Sequence, residues 1–144
     1  MDNVEITNLE KAKKYLFEEH YTLVLCKDNK ILSSRDRGVS SLLNFCDLNL
    51  PLDGYSAADK VVGNGAAFLY AHLKIKEVYA KIISKDALNT LKKYNINVEY
   101  DTLVDKIKDK TGKGFCPIET AVRNAKDIND AIDKIKNKLE ELKK

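Results

Sequence analysis

The sequence predicts an α/β domain of three layers, in which a mixed β-sheet lies between two layers of helices. An amphipathic helix and a hairpin come first, in residues 7–34, and helices and strands then alternate. Hairpins join antiparallel strands and strand–helix–strand crossovers join parallel ones, so one sheet should contain both kinds of pairing. A chain of 144 residues has the size of one ordinary domain, so residues 1–144 are expected to form a single unit.

The first elements have clear local signals. Residues 7–19 show apolar positions at helical spacing, and Thr7 with Glu10 matches a capping box at the start. The continuous apolar run Tyr21–Cys26 is typical of a strand buried on both faces. Turn residues follow it, and a second strand at Ile31–Ser34 completes the predicted hairpin.

The middle of the chain predicts two helices. Gly38 breaks the hairpin pattern, and Val39–Cys46 is expected to be a short helix. The longest apolar segment, Ala57–Leu73, is predicted to be one helix that packs on the sheet, because it is too apolar for a surface helix. Ser56 and Asp59 would form a second capping box at its start.

Strands and helices alternate in the second half of the chain. The predicted strands are Glu77–Ile83 and Asn97–Tyr100, which are short and rich in Val, Ile and Tyr. Between them, Ser84 is placed to cap a helix at Lys85–Tyr94, and Asn95 can close that helix in the left-handed conformation.

Two helices are predicted to end the chain. The first runs from Pro117 to about Asn124. The second is amphipathic and forms the C-terminal segment, residues 127–144, in which the helix itself is predicted at Asp127–Lys143. Apolar residues along the second helix alternate in spacing between four and three, which gives a short seam. The members of the seam are Ile128, Ile132, Ile135, Leu139 and Leu142. Such a seam fits docking within the chain and a subunit contact equally well.

The composition argues against several classes of function. The 25 basic and 22 acidic residues are interspersed and leave a net charge of +3, so a nucleic-acid-binding surface is not expected. Three widely spaced cysteines without a C-x-x-C pattern argue against a disulfide framework and a structural zinc site. These are Cys26, Cys46 and Cys116. No signal-peptide run or membrane-length apolar segment is visible, which favours a cytoplasmic protein without a membrane partner.

The stretch Thr111–Glu119, T-G-K-G-F-C-P-I-E, is the best candidate for a chemical site. Pro117 suits the first position of a helix and Glu119 its first turn, which places Cys116 at or next to the N-cap. A helix N-terminus stabilises a thiolate, and the preceding glycines allow backbone N–H groups to approach a ligand. The alternative is that Cys116 is a small buried hydrophobic residue.

Three loops should meet at the carboxyl ends of the strands, where ligands of open α/β sheets bind. These loops are Gly54–Lys60, Ser84–Asp86 and Thr111–Glu119. In the first loop, the alternative is that Ser56 and Asp59 only cap the helix while Lys60 is solvated. The predicted catalytic residues are Cys116, Asp59 and Lys60. The predicted ligand-binding residues are Tyr55, Ser56, Ser84, Thr111, Gly112, Gly114 and Glu119.

Two motifs resemble a bacterial and archaeal family, the domain of unknown function 1893. They are Ser56-x-x-Asp59-Lys60-Val61-Val62-Gly63-x-x-Ala66-Ala67 and Cys116-Pro117-x-Glu119. The resemblance extends over roughly Leu9 to Asn124, and it implies a fold similar to the cytidine-deaminase-like superfamily. One departure from the family pattern is Asn64-Gly65, where a lysine and an alanine are commoner.

The zinc ligands of the deaminases have no counterpart in this chain. Zinc deaminases use a His or Cys with a nearby Glu at one helix start and P-C-x-x-C at the next. The matching places hold Ala58-Asp59-Lys60 and Ser84-Lys85-Asp86-Ala87, which lack the nitrogen and sulfur donors that zinc requires. The resemblance therefore implies a domain without zinc, and no metal or cofactor is expected.

The leading hypothesis is a zinc-free, deaminase-like domain that binds a small anionic ligand, with Cys116 as a reactive or redox-sensitive thiol. One alternative is a cysteine-dependent transferase or hydrolase, in which Cys116 attacks an electrophile and Asp59 or Lys60 moves the proton. Another alternative is a structural or regulatory module that forms a homodimer.

Overall fold

A computed structural model describes residues 6–143, and in this part of the chain five strands form one mixed sheet. The strands are β1 (Leu23–Lys27), β2 (Lys30–Ser34), β3 (Ser56–Val62), β4 (Glu77–Ser84) and β5 (Asn97–Val104). The helices are α1 (Asn8–Glu18), α2 (Ser40–Asp47), α3 (Asn64–His72), α4 (Lys85–Lys93), α5 (Pro117–Ala121) and α6 (Ile128–Leu142). The predicted single domain also includes residues 1–5 and 144, which lie outside the described residues.

The strand order in the sheet is β2-β1-β3-β4-β5. Strand β1 is antiparallel to both of its neighbours, β2 and β3, whereas β3, β4 and β5 are parallel to one another. The α/β class with a mixed sheet is therefore confirmed.

Helices cover both faces of the sheet. On one face, Ala12 and Leu16 of α1 pack against a small cluster of strand residues that includes Ala58 and Tyr79. On the other face, apolar side chains of α2 to α6 share the main core with the strands, around the fully buried Tyr70. Helix α1 thus covers one face of the sheet, and helices α2 to α6 cover the opposite face.

The predicted N-terminal elements are confirmed. Helix α1 begins after Thr7, whose Oγ1 accepts the backbone N–H of Glu10 at 3.1 Å. Strands β1 and β2 form the expected hairpin, with Lys27 opposite Lys30 and with Asp28 in the left-handed conformation at a φ of 55°. Val39 precedes α2, so the predicted short helix is also present.

The single helix predicted at Ala57–Leu73 is wrong. The segment forms the central strand β3 and then helix α3, and the change takes place at Gly63. Both parts are almost completely buried, so the run lacks the periodic polar positions that distinguish a strand from a helix. Ser56 and Asp59 accordingly lie in a strand and cap no helix.

The second half of the chain follows the predicted order with shifted boundaries. Strand β5 extends to Val104, four residues beyond the predicted end, and α5 stops at Ala121. The hydroxyl of Ser84 caps α4 by accepting the N–H of Ala87 at 3.1 Å, and Asn95 is left-handed with a φ of 62°. Both of these local predictions are confirmed.

Helix α6 packs within the chain. Its residues Ala131 and Ile135 are fully buried in the main core, where α6 lies against α3 and α5. Of the two uses that the seam allowed, the structure therefore shows intramolecular docking.

Candidate functional site

A groove of about 450 Å³ lies at the carboxyl ends of the three parallel strands. Its floor consists of Val61, Ile82 and Val104, one from each of β3, β4 and β5. This edge of an open α/β sheet is where ligands bind in such folds. The groove is therefore the candidate functional site.

The floor is exposed because the alternation of side chains slips near the end of β3. Asp59 is hydrogen-bonded to Tyr70 of α3, and Val62 lies in the same core. The two residues are three positions apart, although side chains on one face of a regular strand recur every two positions. The carboxylate of Asp59 accepts the N–H of Val61 at 3.2 Å, which satisfies a backbone donor at the slip. As a result Val61 faces outward and is 44% exposed.

The outer wall of the groove comes from the segment between β5 and α5. Lys106, Ile107, Lys108 and Phe115 line it, and an antiparallel bridge joins Lys108 to Phe115. The ring of Phe115 is 57% exposed, and the ammonium of Lys106 lies 5.1 Å from its centre. Asp105 also lines the groove, so the wall combines apolar surface with two cationic side chains and one carboxylate.

Hydrogen bonds to Asp109 hold together the tip of the segment between β5 and α5. One carboxylate oxygen of Asp109 accepts both the N–H and the O–H of Thr111 and the N–H of Gly114, while the Asp109 carbonyl accepts the N–H of Gly112. These hydrogen bonds, first among them that of the Thr111 hydroxyl, lower the pKa of Asp109. The donors predicted to meet a ligand are thus already engaged inside the loop.

A buried carboxylate, Glu119, occupies the place where helix starts converge. Its Oε2 accepts the N–H of Asn64 at the start of α3 at 2.8 Å and the hydroxyl of Ser84, the N-cap of α4, at 2.5 Å. Its Oε1 accepts the N–H of Ile107 at 2.8 Å. The starts of α3 and α4 do meet, but the anion they bind is a side chain of the protein. Asn64 and Ile107 were missed by the sequence analysis, because only the folded chain shows where their N–H groups point.

Two glycines allow α5 to come this close to α3. A methyl group on Gly65 would lie 2.6 Å from Cγ2 of Ile118, and one on Gly63 would lie 3.3 Å from Oε2 of Glu119. The glycine at position 65 therefore has a packing role.

Cys116 is the N-cap residue of α5, and Pro117 takes the first helical position, as predicted. The Cys116 N–H donates to the carbonyl of Ile107 at 2.9 Å, and its carbonyl accepts the hydroxyl of Thr120 at 3.0 Å. The residue is half-buried at the margin of the main core, directly after Phe115 of the groove wall. The backbone around the thiol is well fixed, and the reactivity of the thiol stays a prediction.

Asp59 and Lys60 lie in β3, the middle strand of the sheet. The hydroxyl of Tyr70 donates to Asp59 at 2.6 Å, and burial raises the pKa of Asp59 to about 7 although this bond opposes the shift. Lys60 is half-buried, and its N–H donates to the carbonyl of Thr22. Within residues 6–143, no hydrogen bond joins either residue to Cys116.

Tyr55 and Ser56 lie at the opposite end of the parallel strands. Ser56 pairs with Glu77 at the start of β4, and its hydroxyl donates to that carboxylate at 2.5 Å. Tyr55 is buried in the main core. The loop predicted at Gly54–Lys60 is therefore wrong, because most of it is strand β3 and its first residues lie at the end of the strands opposite the groove.

Two further properties concern metals and membranes. Within residues 6–143, no three His, Cys, Asp or Glu side chains are grouped so that they could hold a metal ion. Over the same residues, every helix is too short or too polar to cross a membrane.

Comparisons with known proteins identify the family. The family model described as TM1506, a domain of unknown function (DUF1893), matches residues 11–139. A crystal structure of a DUF1893 family protein (TM1506) from Thermotoga maritima, at 2.70 Å resolution, is similar to this chain with a TM-score of 0.84 and 27% sequence identity. The similarity covers 94% of this chain and 92% of that one. Among curated proteins, none matches. Since the family model extends over most of the sequence, the chain belongs to the DUF1893 family.

Proposed function

We propose that the protein binds a small ligand with a flat apolar body and an anionic group in the groove at the carboxyl ends of β3, β4 and β5. The observation that carries the proposal is the exposed apolar floor at three strand ends, beside two lysines. Apolar pockets with a few polar groups are the usual form of small-molecule sites.

The charges of the wall favour an anion. Residues 105–115 contain four lysines and two aspartates. Asp105 lines the groove, but its carboxylate lies 3.6 Å from the ammonium of Lys85, and the Asp109 carboxylate accepts hydrogen bonds from its own loop. Within the described residues, Lys106 and Lys108 have no ion pair, so their charges are available to the groove.

A reactive role for Cys116 is part of the same proposal. Burial raises the pKa of Cys26, and it raises the pKa of Cys46 to about 11, so both thiols are poor nucleophiles at neutral pH. Cys116 is half-buried and follows Phe115 of the wall, which makes it the cysteine best placed to meet a bound ligand. Labelling by iodoacetamide should slow when the groove is filled.

We also infer a relationship to the cytidine-deaminase-like fold without its zinc chemistry. The hairpin followed by alternating helices and parallel strands supports the relationship. The alternatives of a cysteine-dependent transferase or hydrolase and of a dimerising module have no specific contact in their favour, and both stay predictions from the sequence.

The test uses the fluorescent probe anilinonaphthalene sulfonate, which has a flat apolar body and one negative charge. We expect saturable binding to the native protein that weakens as salt is added, because salt screens the lysines. The variant Val61→Asp should weaken binding about tenfold or more by placing a negative charge on the floor. The matched control is Leu48→Asp, an equally apolar residue that is 60% exposed at the end of α2. Absence of saturable binding, or equal loss in both variants, would contradict the proposal.

A further inference from the structure

We infer that Glu119 is a positioning residue for the groove: its carboxylate ties the outer wall, through Ile107, to the starts of α3 and α4. The inference rests on the proposed function for its ligand-binding part. Its structural part concerns the hydrogen bonds alone and can be tested without a ligand.

The two oxygens of Glu119 serve different segments. Oε2 receives both donors of the helix starts, from Asn64 and Ser84, whereas Oε1 receives the N–H of Ile107. One oxygen thus belongs to the core side and the other to the groove wall. Removing a single acceptor can therefore separate the two connections.

The wall depends on Ile107 because few other bonds hold it. The carbonyl of Ile107 accepts the N–H of Cys116, and Lys108 bridges to Phe115, so these residues form one small hairpin. The Ile107 N–H is the point at which this hairpin is bonded to a buried group. If that bond is lost, the lysines and Phe115 of the wall lose their fixed distance from the strand ends.

The tightness of the packing leaves Glu119 little room to compensate. Gly63 lies between the two partners, since a methyl group there would be 3.3 Å from Oε2 of Glu119 and 3.4 Å from Cγ1 of Ile107. The carboxylate and the wall residue are therefore held within van der Waals reach of one backbone position.

Glu119→Gln is the discriminating variant. An amide has one acceptor oxygen. With that oxygen toward Asn64 and Ser84, the Ile107 N–H is the one donor left without an acceptor, whereas the reverse orientation leaves both the Asn64 N–H and the Ser84 hydroxyl hydrogen without one. The first orientation, with the NH₂ group toward Ile107, is therefore favoured. Two donors then face each other at the wall, and the Ile107 bond is the one lost. The matched control is Thr90→Val, which removes the buried bond from Thr90 to Asn64 in the same region without touching Glu119 or Ile107.

The first readout is amide hydrogen exchange measured by NMR on the full chain. In Glu119→Gln we expect exchange at Ile107 to accelerate at least about tenfold more than at Leu25, a buried residue of β1, since hydrogen bonds to charged groups contribute a factor of that order. Thr90→Val should change both amides equally. Equal acceleration of both amides in Glu119→Gln would overturn the inference.

The second readout is the affinity for anilinonaphthalene sulfonate, which should fall several-fold in Glu119→Gln and stay unchanged in Thr90→Val. If the native protein does not bind the probe, the proposed function fails while the exchange result still decides the positioning role. If the probe binds but Glu119→Gln binds it equally well, the inference is overturned and the proposed function stands. Should Glu119→Gln fail to fold, Glu119→Asp replaces it in both readouts, because it keeps the carboxylate but shortens the side chain that spans from the helix starts to Ile107.

Discussion

The protein buries two carboxylates beneath α3, and their surroundings differ. Glu119 is 4% exposed and Asp59 is 9% exposed, so burial by itself does not distinguish them. Glu119, at the N-terminal end of α3, receives donors from three separate segments. Asp59, beside Tyr70 in the C-terminal half of the helix, receives one side-chain donor and nearby backbone of its own strand.

The difference shows how donors decide what a buried charge does. Donors from distant segments let Glu119 join α3, α4 and the groove wall, so the cost of burying it is offset by tertiary bonds. Around Asp59, burial outweighs the few donors and raises its pKa to about 7. Glu119 is thus a link between segments, whereas Asp59 is a group that titrates near neutral pH.

The largest expected effect on stability comes from removing the carboxylate of Glu119. Glu119→Ala leaves three donors without an acceptor in a buried place, and we expect the free energy of unfolding to fall by about 3–5 kcal/mol. Urea denaturation measures the change, with the exposed Glu140→Ala as a control that should stay within about 0.5 kcal/mol. A loss below about 1 kcal/mol for Glu119→Ala would mean that the hydrogen bonds of Glu119 contribute little to holding these segments together.

The second prediction concerns Asp59 and pH. Its folded pKa of about 7 lies above the ordinary value of 3.8, so the folded state holds the proton more tightly and the associated stability is present at low pH. That stability is lost as pH rises from about 4 through 7. Asp59→Asn removes the titration, and the amide can accept the Val61 N–H with its oxygen while its NH₂ group donates to the Tyr70 hydroxyl oxygen. Relative to the native protein, the variant should gain about 2–3 kcal/mol of unfolding free energy between pH 5 and pH 8.

Urea denaturation at the two pH values tests this prediction. The exposed Asp53→Asn serves as the control, and its difference from the native protein should not change with pH. If Asp59→Asn likewise shows no change between pH 5 and pH 8, the contrast between the two carboxylates is not electrostatic.

The smallest effect on stability is expected at Gly65, where the absence of a side chain allows α5 to pack closely against α3. Helix propensity alone predicts that Gly65→Ala stabilises the protein by about 1 kcal/mol. Because the added methyl group would lie 2.6 Å from Ile118, we expect instead a net destabilisation of about 1–2 kcal/mol in thermal or urea unfolding. A stabilised variant would show that α5, and Glu119 with it, can shift without cost.

Part of the candidate site could be predicted from the sequence. The helix start at Cys116 and Pro117 was found because proline and the first-turn acid are local signals. The groove was not found, because its floor depends on the slip of alternation after Asp59 and on strand ends that lie far apart in the chain. Tyr55 and Ser56 were placed at the wrong end of the strands because β3 was mistaken for a helix.

The sequence by itself determined the local features: the caps at Thr7 and Ser84, the hairpin, and the start of α5. Each of these depends on bonds between residues only a few positions apart, so the chemistry of a short segment is enough to predict it. Only the tertiary structure decided that residues 57–73 divide into a strand and a helix, since burial on every side removes the periodic signal. It also decided what the converging helix starts bind, because Glu119 is 55 residues from Asn64 and 35 from Ser84, and only folding brings such distant partners together.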